Sequence, residues 1–317
     1  MKGRPAMTKH RSIGVIGAGH VGSHVAAALV TGGVCRDLIL IDTDGPKAEA
    51  QAADLRDLAA LCPRRVDVRA GGYGDLRDAG LVFISASGPI FQEDRLEELD
   101  TSLDTMDEII PQLSGCGFGG ILAAITNPVD LVALYLHKKL GWPRRRILGS
   151  GTLLDSARLR GAVARRLDTA PASVAGYVLG EHGDSQLAAW STVTVGGIPL
   201  DRCAPPDFPR QDITRRVRTA GWDIVLGKGS TEFGIGTAAA RLARAILEDQ
   251  GEILPVSALL EGEYGRRGLC AGVPCRLGTG GVEEILPLDL PAEEAARFGA
   301  SCDALEAVIQ RKGDRFQ

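Results

Sequence analysis

The sequence predicts an α/β protein, a doubly wound parallel sheet followed by a mixed α+β segment. Three observations predict it. From Ser12 to about Leu148, short apolar runs alternate with longer helical patterns, the order that gives parallel strands covered by helices on both faces. The first of those runs ends on Gly17-Ala18-Gly19-His20-Val21-Gly22, a glycine turn set between a strand and a helix. After Gly149 the order changes, and strand-like stretches follow one another as they do in antiparallel pairing.

Ser12-Ile13-Gly14-Val15-Ile16 reads as a short buried strand, and residues 23–30 as the helix beyond the glycine turn. Gly17 permits the tight turn, Gly19 lets the backbone approach a pyrophosphate, and Gly22 allows close helix–strand packing. The helix N-terminus then faces the phosphate charge. A second strand over 38–41 ends at Asp42, about 20 residues beyond the last glycine. A carboxylate there accepts hydrogen bonds from both ribose hydroxyls and repels a 2′-phosphate. No Arg or Lys follows until Lys47, so NAD is favoured over NADP. A helix opened by an acidic cap is expected over 44–61, and strands over 65–69, 81–85, 120–125 and 146–148. A long helix is expected over 95–113. Residues 1–148 thus read as a Rossmann-type nucleotide-binding domain.

Residues 149–317 read as a catalytic and substrate domain. A helix over 153–167 leads to strands over 174–179 and 190–195, the second closed by a turn at Gly196-Gly197. Helices over 212–226 and 231–249, strand-like stretches from 253 to 286 and a last helix over 291–312 complete it. No internal repeat, low-complexity tract or long linker is present, so the two domains are expected to pack closely. At 317 residues, 44% hydrophobic and net charge −4, the chain is long enough for two domains, and its mild acidity argues against nucleic acid or an anionic membrane as a partner. Its seven cysteines form no C-x-x-C pair and no zinc spacing, so no metal is expected and a reducing compartment is. No signal-like apolar core follows the basic first residues and no run is long enough to cross a bilayer; the cytoplasm is the expected location.

The chemistry concentrates at Gly180-Glu181-His182-Gly183-Asp184-Ser185. Of five histidines, only His182 lies in a glycine-bounded polar turn with acids beside it. A lone His is usually a satisfied polar residue, and an Asp-x-x-Arg pair such as Asp155 and Arg158 is usually a helix-surface ion pair. Together, and behind a nucleotide site, they form a catalytic inventory. It holds an acid/base near neutral pH, an aspartate to orient it, and Arg158 and Arg95 for an anionic substrate.

These residues carry a resemblance. Gly17 to Gly22, Thr126-Asn127-Pro128-Val129-Asp130, the stretch from Gly149 to Arg158, Gly180 to Ser185 and Gly227-Lys228-Gly229-Ser230-Thr231 resemble, in order, the motifs of the L-lactate/malate dehydrogenase family over nearly the whole chain. Within it the sequence looks most similar to the L-2-hydroxyisocaproate dehydrogenases, on Gly176 to Gly180, Ala189-Trp190-Ser191-Thr192-Val193 and Gly229 to Gly236. The resemblance implies an NAD-dependent oxidoreductase of 2-hydroxy acids. His182 would take the hydroxyl proton, Asp155 would hold its other ring nitrogen, and Arg158 would clamp the substrate carboxylate. Arg95, at the end of a segment resembling a mobile active-site loop, would polarise the carbonyl. Asn127 and Thr231 match positions near the nicotinamide and substrate, although a turn or cap role suits either residue alone.

Substrate choice is where the chain departs. The loop Ser85 to Asp94 holds no Lys or Arg for a second carboxylate and carries Glu93 and Asp94, while Pro89, Ile90 and Phe91 are apolar. An aliphatic monocarboxylate is therefore expected, with Gly234 leaving room beyond a methyl group. Lactate or malate dehydrogenase and a non-catalytic NAD-binding regulator are the alternatives; the second would have let the site residues drift, and none is missing. A related metal-using glycosidase group would want a cysteine where Thr126 stands. The resemblance also implies a homodimer or homotetramer. Ala175 occupies the place of a histidine in members activated by fructose 1,6-bisphosphate, so no strong activation is expected.

Overall fold

The computed structural model describes residues 11–88 and 95–317, without the side chains of residues 95–97. The first half runs β1 (Ser12–Ile16), α1 (His20–Gly32), β2 (Asp37–Ile41), α2 (Gly45–Ala60), β3 (Asp67–Ala70), β4 (Leu81–Ile84), α3 (Arg95–Gly115), β5 (Ile121–Ala124), α4 (Val129–Leu140) and β6 (Ile147–Gly149). The second runs α5 (Leu153–Arg166), β7 (Val174–Leu179), β8 (Leu187–Val195), β9 (Ile198–Pro199), α6 (Leu200–Cys203), α7 (Arg210–Lys228), α8 (Phe233–Leu247), β10 (Glu252–Glu261), β11 (Arg267–Gly278), β12 (Gly281–Ile285) and α9 (Ala292–Arg311).

The parallel strands read as continuous apolar runs because helices cover both faces. Ile13, Val15, Phe83, Ile84, Leu122 and Ala123 are fully buried. Strand β1 lies between β2 and β4, and β4 pairs β5, each in parallel. The order β6-β5-β4-β1-β2-β3 puts the carboxyl ends of β1 and β4 side by side, where the strand order reverses and ligands of such sheets bind. The glycine turn lies there. Gly17 has φ +94, and a Cβ on Gly22 would come within 1.8 Å of the Gly17 carbonyl oxygen, so α1 can seat against β1 only with glycine at both positions. Helix α2 starts where Asp44 accepts a hydrogen bond from the Lys47 N–H at 3.0 Å.

The second half contributes β7, β8 and β9 as a separate sheet of three antiparallel strands. Strands β10, β11 and β12 are antiparallel too, but they extend the first sheet to nine strands through one pairing, Ser257 of β10 with Gly149 of β6. Several expected boundaries move by two or three residues, and two of them bear on the site. Strand β8 begins at Leu187 rather than 190, and the helix expected from 231 begins at Phe233, leaving Thr231 in the connection before it. The expected loop residues Pro89, Ile90, Phe91, Glu93 and Asp94 lie outside the described residues. All seven cysteines are unbridged. Among the described residues, no helix is long and apolar enough to cross a membrane and no cluster of His, Cys, Asp and Glu could hold a metal.

Candidate active site

A cleft of about 290 Å³ opens at the carboxyl ends of the parallel strands, and Asn127, Asp155, Arg158, His182 and Thr231 all line it. Five residues scattered over more than a hundred positions of sequence thus converge on one cavity.

Its nucleotide end is built by β1, α1 and β2. Asp42 ends β2, and its two oxygens accept the Ala18 N–H at 2.7 Å and the Asp44 N–H at 3.0 Å. That pins the glycine turn to the tip of the neighbouring strand. Ser85, at the end of β4, donates to the Gly17 carbonyl at 2.8 Å and braces the turn from the other side. The first turn of α2 brings the Lys47 ammonium to 3.8 Å from Asp42, closer than the sequence reading allowed. At that distance, and with the lysine side chain half in solvent, the pair is a weak attraction. Gly19 caps α1 with no side-chain hydrogen bond, and the nearest atom to a Cβ placed there is 4.0 Å away. Its bare backbone thus faces open space at a helix N-terminus rather than protein. A pyrophosphate over that turn and a ribose at Asp42 fit NAD.

The reaction end is carried by α5 and the loop after β7. Asp155 and Arg158 stand one turn apart on α5, and Arg158 donates to Asp155 Oδ1 at 3.0 Å. The other oxygen, Asp155 Oδ2, lies 2.6 Å from His182 Nδ1. One carboxylate therefore grips both the acid/base candidate and the candidate anion clamp. Asp155 is 1% exposed, against 26% for the His182 side chain and 17% for that of Arg158. Burial alone would raise the Asp155 pKa, but His182 and Arg158 hold it below the usual carboxylate range. In return Asp155 raises the pKa of His182, against the effect of burial and with smaller help from Asp130.

The histidine loop is fixed from several sides. Gly180 exchanges both main-chain hydrogen bonds with Gly272 of β11, at 2.9 and 2.7 Å. The Glu181 N–H donates to Ser301 of α9 at 2.9 Å, and Ser185 donates to the Glu181 carboxylate from its N–H at 3.1 Å and its hydroxyl at 2.5 Å. The His182 N–H donates to Asp130 at 2.8 Å. Thr231 is held in the connection before α8, where the next residue, Glu232, accepts hydrogen bonds from Lys228 and Ser230 that precede it. Asn127 receives the Ser102 hydroxyl on its carbonyl at 2.7 Å, and its peptide to Pro128 is cis. Arg95 opens α3; its side chain lies outside the described residues.

Sequence reasoning missed part of this cleft. Gly234 does not line it: a Cβ there would meet Leu154 of α5 at 3.0 Å, so this glycine serves helix packing instead of substrate room. The open position is Gly221 on α7, which lines the cleft and has nothing within 4 Å of a Cβ. Leu154, Trp222, Val225 and Ile235 make the wall around it apolar, and Arg218 of α7 reaches the same cleft. Trp222, Val225 and Arg218 fell on the helix expected over 212–226, to which no part in the site was given. Asp130 was quoted as part of a motif without a role. Ser257 had one signal, a polar residue inside the apolar run of β10, which a buried partner would explain.

Comparison with known proteins agrees with this geometry. Residues 11–149 match the model of the lactate/malate dehydrogenase NAD-binding domain, and residues 152–316 that of the lactate/malate dehydrogenase α/β C-terminal domain. An L-lactate dehydrogenase of Fusobacterium nucleatum is 40% identical over 311 residues, covering 96% of this chain and 98% of its own. The ligand-bound crystal structure of the minor L-lactate dehydrogenase of Enterococcus mundtii superposes with a TM-score of 0.92 at 36% identity, covering 96% of this chain and 99% of its own. The malate dehydrogenase of Salinibacter ruber does so with a TM-score of 0.89 at 30% identity, covering 96% of this chain and 100% of its own. With a dinucleotide turn at one end of the cleft and a paired histidine at the other, the chain belongs to the lactate/malate dehydrogenase family, as an NAD-dependent 2-hydroxyacid oxidoreductase.

Proposed function

We propose that the chain interconverts small aliphatic L-2-hydroxy monocarboxylates and their 2-oxo acids, with a preference resembling that for 2-hydroxyisocaproate. The observation that carries this reading is the placement of the His182–Asp155–Arg158 set beside an apolar wall with a glycine in it. Residues 1–148 would bind nucleotide and residues 149–317 substrate. Arg158, bonded to Asp155 through one nitrogen, keeps further N–H groups for a two-pronged grip on the substrate carboxylate. His182 Nδ1 is committed to Asp155, which leaves Nε2 to accept the hydroxyl proton during oxidation and return it during reduction. The bound nucleotide would supply the redox chemistry at C2, as hydride acceptor in its oxidised form NAD and as hydride donor in its reduced form NADH. Asp155 stabilises the imidazolium that results, Arg95 would polarise the carbonyl, and Asn127 and Thr231 would line the nicotinamide and substrate.

Each extra buried methylene of the substrate adds about 0.8 kcal/mol, close to fourfold. Branched or linear 2-oxo acids of about four to six carbons, a range scaled from that increment, should outperform pyruvate. Steady-state kcat/KM with NADH for 2-oxoisocaproate, 2-oxobutyrate, pyruvate and oxaloacetate, under one set of conditions, tests this. The names of the relatives favour a second reading, lactate dehydrogenase, in which pyruvate leads. If oxaloacetate leads, Arg218 is the cation through which the second carboxylate would be held. No turnover of any of the four would leave only the regulator reading.

A further inference from the structure

Asp130 is a buried carboxylate that the chemistry above does not use. It lies in the first turn of α4 and is 2% exposed. Its Oδ2 accepts the His182 N–H at 2.8 Å, and its Oδ1 accepts the hydroxyl of the fully buried Ser257 at 2.5 Å. Among the described residues no Lys or Arg pairs with it. A buried carboxylate held by neutral donors alone is costly. An asparagine would serve the same two contacts, taking the His182 N–H on its oxygen and donating its amide to Ser257. What the carboxylate adds is charge, directly below the acid/base.

We propose that Asp130 is a positioning residue for the acid/base, clamping the His182 main chain between α4 and β10 and lending its negative charge to the imidazolium. The inference rests on the reading of His182 as the proton carrier. His182 is faced by Asp155 and Arg158 from α5, by Asp130 from α4 and by Glu181 within its own loop. Asp130 is faced by Ser257 of β10, by Glu181 and by the buried thiols Cys270 of β11 and Cys302 of α9. Both thiols are pushed up, mainly by burial, Cys302 to about 12, so they stay neutral beside it. Asp155 makes the larger contribution to the His182 pKa, and Asp130 adds to it in the same direction. Burial also lifts Asp130 itself to about 6, opposed by the hydrogen bonds from Ser257 and His182, so its charge is present at neutral pH and fades in mild acid.

The test is Asp130→Asn in the full chain, with His182 followed by NMR of ¹³C-labelled histidine in the binary complex with NADH. His182→Asn assigns the signal. In Asp130→Asn the His182 titration should move to lower pH by about half to one unit, a modest effect for a charge bonded to the His182 main chain, its contribution smaller than that of Asp155. The falling alkaline limb of 2-oxo acid reduction should move with it, while KM for the 2-oxo acid stays within about twofold because Arg158 is untouched. A merely structural role would lower kcat without moving either titration. Ser257→Ala, which leaves Asp130 easier to protonate, should give a smaller shift in the same direction, and it carries the test if Asp130→Asn does not fold. An unmoved His182 titration, or one moved to higher pH, overturns the proposal. If instead His182→Asn keeps near-normal turnover, it is the proton-carrier reading that fails.

Discussion

A single carboxylate oxygen decides how His182 can act. With Asp155 Oδ2 at 2.6 Å from Nδ1, the ring has one nitrogen free for the substrate, and the raised pKa keeps a larger share of imidazolium at neutral pH. Reduction of a 2-oxo acid needs that proton, so its rate should fall as pH rises through the elevated His182 pKa, whereas oxidation should gain over the same range. His182→Asn keeps a polar group of similar reach that cannot carry a proton. Its turnover should drop by about 10²–10⁴-fold in initial-rate assays, with NADH binding by fluorescence titration preserved. Arg158→Lys should act mainly through KM, because an ammonium cannot make the two-pronged bond. His182, Asp155 and Arg158 were legible as a set because a nucleotide turn precedes them, although each alone has an ordinary structural reading. Asp130 and Ser257 were not, since each meets the histidine loop only through a partner more than fifty residues away.

Helix α4 shows what an element adds to its residues. It runs from Asp130 beneath the histidine loop to a last turn that includes His137, Lys138 and Lys139, and it is buried for most of its length. His137 is buried, its Nε2 has no hydrogen-bond partner, and burial, aided by nearby Arg144, pushes its pKa down to about 4. The unfolded chain therefore binds a proton at this residue between about pH 6.5 and 4 that the folded chain refuses. Stability present above that window is lost as pH falls through it, by up to roughly 3 kcal/mol. Thermal melting of His137→Gln across pH 4 to 7 should show a flatter dependence than the parent; an unchanged slope would refute the assignment. Strand and helix centres were legible from apolar periodicity alone. The start of α8 was not, because Glu232 is taken up by Lys228 and Ser230 in the connection ahead of it, a side-chain arrangement that periodicity does not register. Gly234 misled for a related reason: an absent side chain can make room for a ligand or for a neighbouring helix, and Leu154 takes the space.

Across the whole molecule, two large apolar side chains stand in solvent at the end of α7 and the start of α8, Leu226 at 74% and Phe233 at 70% exposure. Ile224 adds to them at 39%. A homodimer, or a tetramer of such dimers, would cover them. Light scattering after gel filtration should give a mass of two or four chains, and Leu226→Glu with Phe233→Glu should reduce it; a monomer in the parent protein would refute the assembly. The parallel half of the sheet was legible because βαβ order dictates it. The junction of β10 with β6 was not, as a pairing between residues 257 and 149 has no local signature. That junction bears on recombination. A crossover near residue 150 would exchange intact nucleotide-binding and substrate halves between relatives, yet the loop carrying His182 would then rest on Asp130 from one parent and Ser257 from the other. Chimaeras that keep both partners would inherit a matched support for that loop; in those that lose one, the His182 titration should match neither parent's.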